Sequence, residues 1–318
     1  MTNGLLITPN FLGLDELLYK AFKKKVTNLD HRYDRLNNTV FKFILRLNVP
    51  FLSQFISNRY YKKLIESLNK SYDFIVIINP EALPLSCLHR MKKISKKIVI
   101  YFWDGSITKP KIKLYAELDG INIYSFDRSD CKKYGFNYLP LFIPEDSSQS
   151  YILNKDIDFS FIASCHTERL NLAEELYNLS LSFGYSAQII VSTSSILHFY
   201  YYRALSLIRG YKIELFSKSL SHEDYLDVIA RSKIVIDMIS DHNQKGISLR
   251  SFEALSRNCK LLTDNLSIKN ESFFDENLIA FYSKAPSKID IDLLLAKKKQ
   301  DFNGDQFKIN RFVENLLF

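Results

Sequence analysis

Short apolar runs recur along the chain and alternate with longer stretches of helical period, and this alternation restricts the fold more than any other feature. Gly4–Thr8, Phe74–Ile78, Ile98–Trp103 and Ile121–Ser125 read as strands. Each closes on a polar or turn-forming group: Thr8-Pro9-Asn10, Asn79-Pro80-Glu81, Trp103-Asp104-Gly105 and Phe126-Asp127. In a parallel α/β sheet those groups stand at the carboxyl ends of strands, where such sheets bind ligands. Helical patterns at Leu14–Lys25 and about Thr39–Asn69 are too long together for one crossover, so the order of elements between residues 30 and 70 stays unassigned.

After LPLFIP (Leu139–Pro144), the run EDSSQS has no apolar period and reads as a linker. A second set of βα units follows, with strands expected at Asp158–Ala163, Ala187–Val191, Ile234–Met238 and Lys260–Thr263. Helices are expected at about Glu168–Phe183, Ser221–Arg231 and Ser248–Arg257. Two α/β halves joined by a linker imply a ligand cleft.

The 318 residues are 47% hydrophobic and 25% charged, which suits an ordinary globular chain and excludes a disordered one. No apolar run reaches the ~18–20 residues needed to span a bilayer, and MTNGLLITPNFLG has no signal-peptide pattern, so a cytoplasmic location is expected. The excess of 43 Lys and Arg over 35 Asp and Glu favours anionic partners. Cys87, Cys131, Cys165 and Cys259 are scattered, without metal-ligand spacing, and read as small core side chains.

The stretch from Lys233 to Asn265 carries the most specific pattern: strand KIVIDMI, loop SDHNQKG, helix ISLRSFEALSRN, strand KLLTDN. The loop delivers the chain to a helix start, whose free N–H groups and dipole attract anions. Gly246 allows a close turn or a positive φ, and Ser248 can cap the helix. With Leu249, Phe252 and Leu255 inward, Arg250 and Glu253 share another side. A guanidinium suits phosphate oxygens and a carboxylate suits ribose hydroxyls. The same pair also reads as an exposed ion pair worth ~0.2–0.5 kcal/mol.

KSLSHEDYLDVIARSKIVIDMISDHNQKGISLRSFEALSRNCKLLTDN resembles the donor-side segment of a broad group of bacterial GT-B glycosyltransferases of lipopolysaccharide or capsule biosynthesis, related to the CgeB-like enzymes. The resemblance rests on Gln244, Gly246, Ser248, Arg250, Ser251, Glu253, Lys260, Leu261, Thr263 and Asn265. KIVIYFWDGS (Lys97–Ser106), INIYSFDRSDCKKYGFNYLPLFIPE (Ile121–Glu145) and DFSFIASCHTERL (Asp158–Leu170) are similar to the same group, in the same order. Ala163 stands where that group has glycine, and the first seventy residues match loosely.

The resemblance implies an α/β protein of GT-B type, with two Rossmann-like domains and a cleft between them. They are an acceptor-side domain over 1–148, to which a helix at about 303–318 returns, and a donor domain over 149–302. It implies transfer of a sugar from a nucleotide sugar to a hydroxyl of a surface-glycan precursor, lipid-linked or free. No cofactor or metal is required, because cationic side chains and helix starts stabilise the leaving diphosphate.

The expected donor-binding residues are Gln244, Gly246, Ser248, Arg250 and Glu253, with Arg169 and His166. Asp104, or else Asp15, is the expected base, with Trp103, Asp127 and Glu81 on the acceptor. Asp104 also fits an Asp-Gly turn and Asp15 a helix cap.

The tract LHFYYYRALSLIRGYK (Leu197–Lys212) reads either as a partly buried helix with tyrosine hydroxyls outward or as a surface for lipid or nucleic acid. Association with the inner face of the membrane is a further expectation. Nucleic acid is not an expected partner, because no recognition motif for it occurs. The rivals are a nucleotide-sugar epimerase or a non-catalytic binder of the same fold, and a basic nucleic-acid- or membrane-binding protein.

Overall fold

The computed structural model describes residues 2–11, 13–36, 50–68, 70–106, 109–144, 155–193, 195–239, 245–298 and 300–318. The chain divides into two compact units. Unit one is Met1–Phe142 with Asn243–Gly246 and Phe307–Phe318, and unit two is Ile143–His242 with Ile247–Gln306. The EDSSQS linker expected from the sequence lies outside the described residues.

Unit one contains β1 (Asn3–Thr8), α1 (Leu14–Lys23), β2 (Asn28–Tyr33), α2 (Pro50–Glu66), β3 (Phe74–Ile78), α3 (Leu85–Ile94), β4 (Ile98–Phe102), β5 (Asn122–Ser125), α4 (Arg128–Tyr134) and β6 (Asn137–Tyr138). The strands pair in parallel in the order β2-β1-β3-β4-β5-β6. Every residue of β3 and β4 is buried, as a strand covered on both faces requires. Helix α1 buries Leu14, Leu18, Ala21 and Phe22 at helical spacing, and it places Asp15 and Glu16 in its first turn and Lys20 and Lys23 in its last, complementing the dipole.

Unit two contains β7 (Ile157–Ser164), α5 (Thr167–Phe183), β8 (Ala187–Ser192), α6 (Ile196–Arg209), β9 (Leu215–Phe216), α7 (His222–Arg231), β10 (Ser232–Asp237), α8 (Leu249–Ser256), β11 (Lys260–Thr263), β12 (Ile279–Phe281) and α9 (Lys288–Ala296). Its parallel sheet runs β12-β11-β10-β7-β8-β9. Counted from β7, this is the dinucleotide-fold order 3-2-1-4-5-6 read from its other edge. The fold is α/β with two parallel six-stranded sheets, the class expected from the sequence.

The final helix α10 (Ile309–Leu317) groups with unit one. Its Phe312 ring packs edge-on against Tyr101 at 4.7 Å and lies 4.8 Å from Phe142. At its rim Lys25 pairs with Glu314 at 2.8 Å, and the Lys97 ammonium donates to the Leu317 carbonyl at 2.8 Å.

Candidate functional site

Strand order reverses between β7 and β10 in unit two, so a crevice is expected at their carboxyl ends. The polar residues of this unit converge there. Asp237 closes β10 and is buried, and the start of α8 is built on its carboxylate. Ser248 donates to it at 2.5 Å, Ser251 at 2.9 Å and the Arg250 Nη1 at 2.8 Å. Ser248 also caps the helix by accepting from the Ser251 amide at 3.1 Å. Tyr282 donates to the Asp237 carbonyl at 3.1 Å.

Arg250 is thereby held, not loose. Burial opposes its charge, yet Asp237 and Tyr225 beside it keep the guanidinium above its ordinary pKa. Its Nε is buried and, among the described residues, has no hydrogen-bond partner, a donor that structures ordinarily satisfy. From the first turn of α5, Arg169 donates to Ser164 Oγ at 3.0 Å and to the Met238 carbonyl at 3.4 Å. Burial and then the like charge of Arg250 lower the Arg169 pKa. Asp237 and Asp264 act on Arg169 in the opposite sense, so two guanidiniums share this switch point with two carboxylates; guanidiniums are the side chains best shaped for phosphate oxygens.

His166, the N-cap residue of α5, is exposed, and partial burial followed by Arg169 depresses its pKa. Glu253 lies one turn beyond Arg250 and is only 2% exposed. Tyr225 donates to it at 2.7 Å, and burial pushes its carboxyl up against that hydrogen bond and the positive Arg257. Gln244 lies outside the described residues. Gly246 has no positive φ. Its constraint is space, since a Cβ there would stand 2.2 Å from the ring of Phe126.

In unit one the chain order reverses between β1 and β3. Asn79, just past β3, takes a left-handed backbone (φ 45°) and donates to Asp104 at 2.9 Å. Burial, and then the charge of Glu81, raise the Asp104 pKa against Asn79 and Lys109. Glu81 is clamped by Arg35 and by Lys109 at 2.8 Å. Burial opposes its ionisation, but those two cations hold it below its usual value. The loop carrying Glu81 is fixed by fully buried Asp34, which accepts from the amides of Glu81 and Ala82 at 3.1 and 3.2 Å and from the Tyr61 hydroxyl at 2.6 Å.

Asp15 is buried and takes a 3.4 Å hydrogen bond from Tyr33. It opposes the burial that lowers the pKa of His31, whose Nε2 meets Thr8 Oγ1 at 2.7 Å. Trp103 is half-buried with the Phe11 ring 6.1 Å away. Asp127 caps α4 by accepting from Ser129 N at 2.8 Å, and it also accepts from the amides of Lys245 and Gly246 at 2.8 and 3.2 Å. Its carboxylate is occupied with backbone.

The sequence placed Asn79 at a ligand-binding strand end but did not single out His31, Asp34, Arg35, Tyr225, Asp237 or Tyr282. The one available signal was Asp237, a carboxylate closing an apolar strand just ahead of the glycine loop.

A family described as glycosyl transferase-like matches residues 198–299. No curated protein matches by sequence. A glycosyltransferase from Rickettsia africae ESF-5 is similar in structure, with TM-score 0.58 and 12% identity over 99% of this chain and 96% of that one. Anabaena HepE in complex with UDP-glucose gives TM-score 0.58 at 11% identity, over 98% of each chain. The Methanocaldococcus jannaschii UDP-GlcNAc 2-epimerase, in complex with UDP-GlcNAc and UDP, gives 0.52 at 12%, over 100% and 98%. The matched segment is thus glycosyl transferase-like, and the two-sheet GT-B fold is one that this chain shares with glycosyltransferases and with a 2-epimerase.

Proposed function

We propose that the protein moves a sugar from a nucleotide sugar to a hydroxyl of a bacterial surface-glycan precursor, on the cytoplasmic side of the membrane and without a metal. The observation that carries this reading is the convergence of Arg169 and Arg250 at the unit-two switch point, where Arg169 reaches the Met238 carbonyl and Arg250 the Asp237 carboxylate. As the glycosidic bond breaks, negative charge grows on the leaving diphosphate. Paired guanidiniums and the Ser248-capped helix start stabilise that charge more than they stabilise the ground state. Glu253 is assigned to the ribose hydroxyls and His166 to the phosphate edge. The complexes of HepE with UDP-glucose and of the epimerase with UDP support a uridine nucleotide.

The base is Asp104. Its raised pKa makes it a better proton acceptor than an exposed carboxylate, and Asn79 holds one of its oxygens in place. Asp15 is the second candidate, with Trp103 and Glu81 on the acceptor.

A thermal-shift panel of UDP-, GDP-, CMP- and ADP-sugars tests the reading, because a ligand that prefers the folded state raises its melting temperature. A shift with one nucleotide class, followed by acceptor-dependent release of that nucleotide, supports transfer. No shift across the panel refutes it. The likeness to the 2-epimerase favours a second reading, which sugar interconversion without any acceptor would establish.

A further inference from the structure

Helix α6 turns its apolar side to solvent. Ile196, Leu197, Tyr200, Tyr201, Leu207 and Ile208 are all exposed, Leu197 at 77%, Leu207 at 73% and Ile208 at 84%. At 100° per residue they occupy one continuous arc of about 140°. The opposite side, with Tyr202 and Leu205, packs on the core of unit two. Arg203 falls on one flank of the arc, whereas Arg209, in the last turn, lies on the packed side between Leu205 and Tyr202. Arg203 stacks over Phe199 at 5.8 Å, and Arg209 donates to the Asn171 side chain at 2.7 Å. No carboxylate occurs from Ile196 to Ile213, and the Glu174 carboxylate that reaches this stretch takes the backbone amides of Lys212 and Ile213. The sequence allowed a partly buried helix here, and the tyrosines at 200 and 201 are instead out in solvent with the aliphatics.

We propose that α6 is a lipid-docking helix that lies in the headgroup layer of an anionic bilayer, its aliphatic and tyrosine side chains inserted and Arg203 at the level of the phosphates. This deepens the reading above by naming the surface that brings the enzyme to a lipid-linked acceptor, but it stands on α6 alone. A wide apolar face edged by Arg203, carrying tyrosines and free of carboxylates along its length, suits an interfacial helix, and tyrosine suits the wet edge of a bilayer. Among the described residues no helix is long and apolar enough to cross a membrane, so the contact is with the surface.

Two other occupants fit less well. A second copy seated on the same face across a two-fold axis would enclose Arg203 at the seam with no acid from its own helix to meet it. Nucleic acid stacks on aromatic rings, whereas the most exposed side chains here are leucine and isoleucine.

The test is co-sedimentation of the full chain with phosphatidylcholine vesicles, with and without phosphatidylglycerol, against the double variant Leu207→Asp/Ile208→Asp and the single variant Arg203→Glu. Expected is binding to the phosphatidylglycerol vesicles that weakens with salt, falls by at least about tenfold in the double variant, and falls with salt sensitivity lost in Arg203→Glu. UDP titration of the same samples should be unchanged, which separates this surface from the nucleotide site. The proposal fails if the parent stays in the supernatant with both vesicles, or if the double variant sediments like the parent. It also fails if the double variant only converts a dimer to a monomer, or only abolishes binding to an oligonucleotide.

Discussion

Replacing Arg250 with alanine separates the two jobs the structure gives it, and the magnitudes can be worked from its contacts. In the folded protein the change removes one charge-assisted bond, the 2.8 Å contact to buried Asp237. Breaking a buried pair ordinarily costs ~3–5 kcal/mol because a bare charge is left behind. Here Asp237 keeps two hydroxyl donors, Ser248 at 2.5 Å and Ser251 at 2.9 Å, so the expected loss of stability is nearer ~1–3 kcal/mol. For the nucleotide, loss of a guanidinium–phosphate fork removes ~1.5–3 kcal/mol, which is about 10- to 150-fold in Kd. Arg250→Lys keeps the charge without the fork and should recover only part of that loss. Isothermal titration with UDP, beside a thermal melt of each variant, reads both numbers. A folded Arg250→Ala protein that binds UDP as the parent does would refute the phosphate assignment, whatever happened to its melting temperature.

Asp104→Asn should abolish transfer while nucleotide binding survives, and the parent's activity should fall on the acid side with an apparent pKa above the ordinary 3.8 of aspartate; an unchanged pH–rate profile would exclude Asp104 as the base. Burial raises the folded-state pKa of Glu253, so between its ordinary 4.5 and that higher value the folded chain holds the extra proton and stability falls as pH rises. The melting temperature of Glu253→Gln minus that of the parent should therefore increase from pH 4.5 towards neutrality, and a flat difference would contradict the assignment. Gly246→Ala drives a methyl to 2.2 Å from the buried Phe126 ring and should cost ~1–3 kcal/mol in a denaturant melt. Asp127→Ala removes the cap of α4 and leaves two further amides without their acceptor, so a loss of at least ~1–2 kcal/mol is expected.

What could be read in the sequence follows burial. Phe74–Ile78 and Ile98–Phe102 declare themselves because a central parallel strand is apolar on both faces. Strand β2 does not, because Asn28–Tyr33 is an edge strand with hardly any apolar side chain, and its side-chain contacts with β1 are polar. Its place beside β1 brings His31 to Thr8 and Asp34 under the loop of Glu81, which local pattern cannot foresee. The helix at Leu249–Ser256 and its Ser248 cap were legible, since both signals are local. The hold of Asp237 on Arg250 joins residues thirteen apart across a loop, and nothing periodic announces it. Amphipathic spacing at Ile196–Arg209 fixes that one face is apolar, but not that this face looks outward.

The return of α10 to unit one has a consequence for how the chain is made. Phe312, Val313 and Leu316 fill a core whose strands were all translated well over a hundred residues earlier. On a ribosome, where amino-terminal domains ordinarily fold first, this unit must wait with Tyr101 and Phe142 uncovered while the whole of unit two is synthesised. The nascent chain therefore carries an open apolar seam for most of its elongation, and the order of completion is the reverse of the order of synthesis.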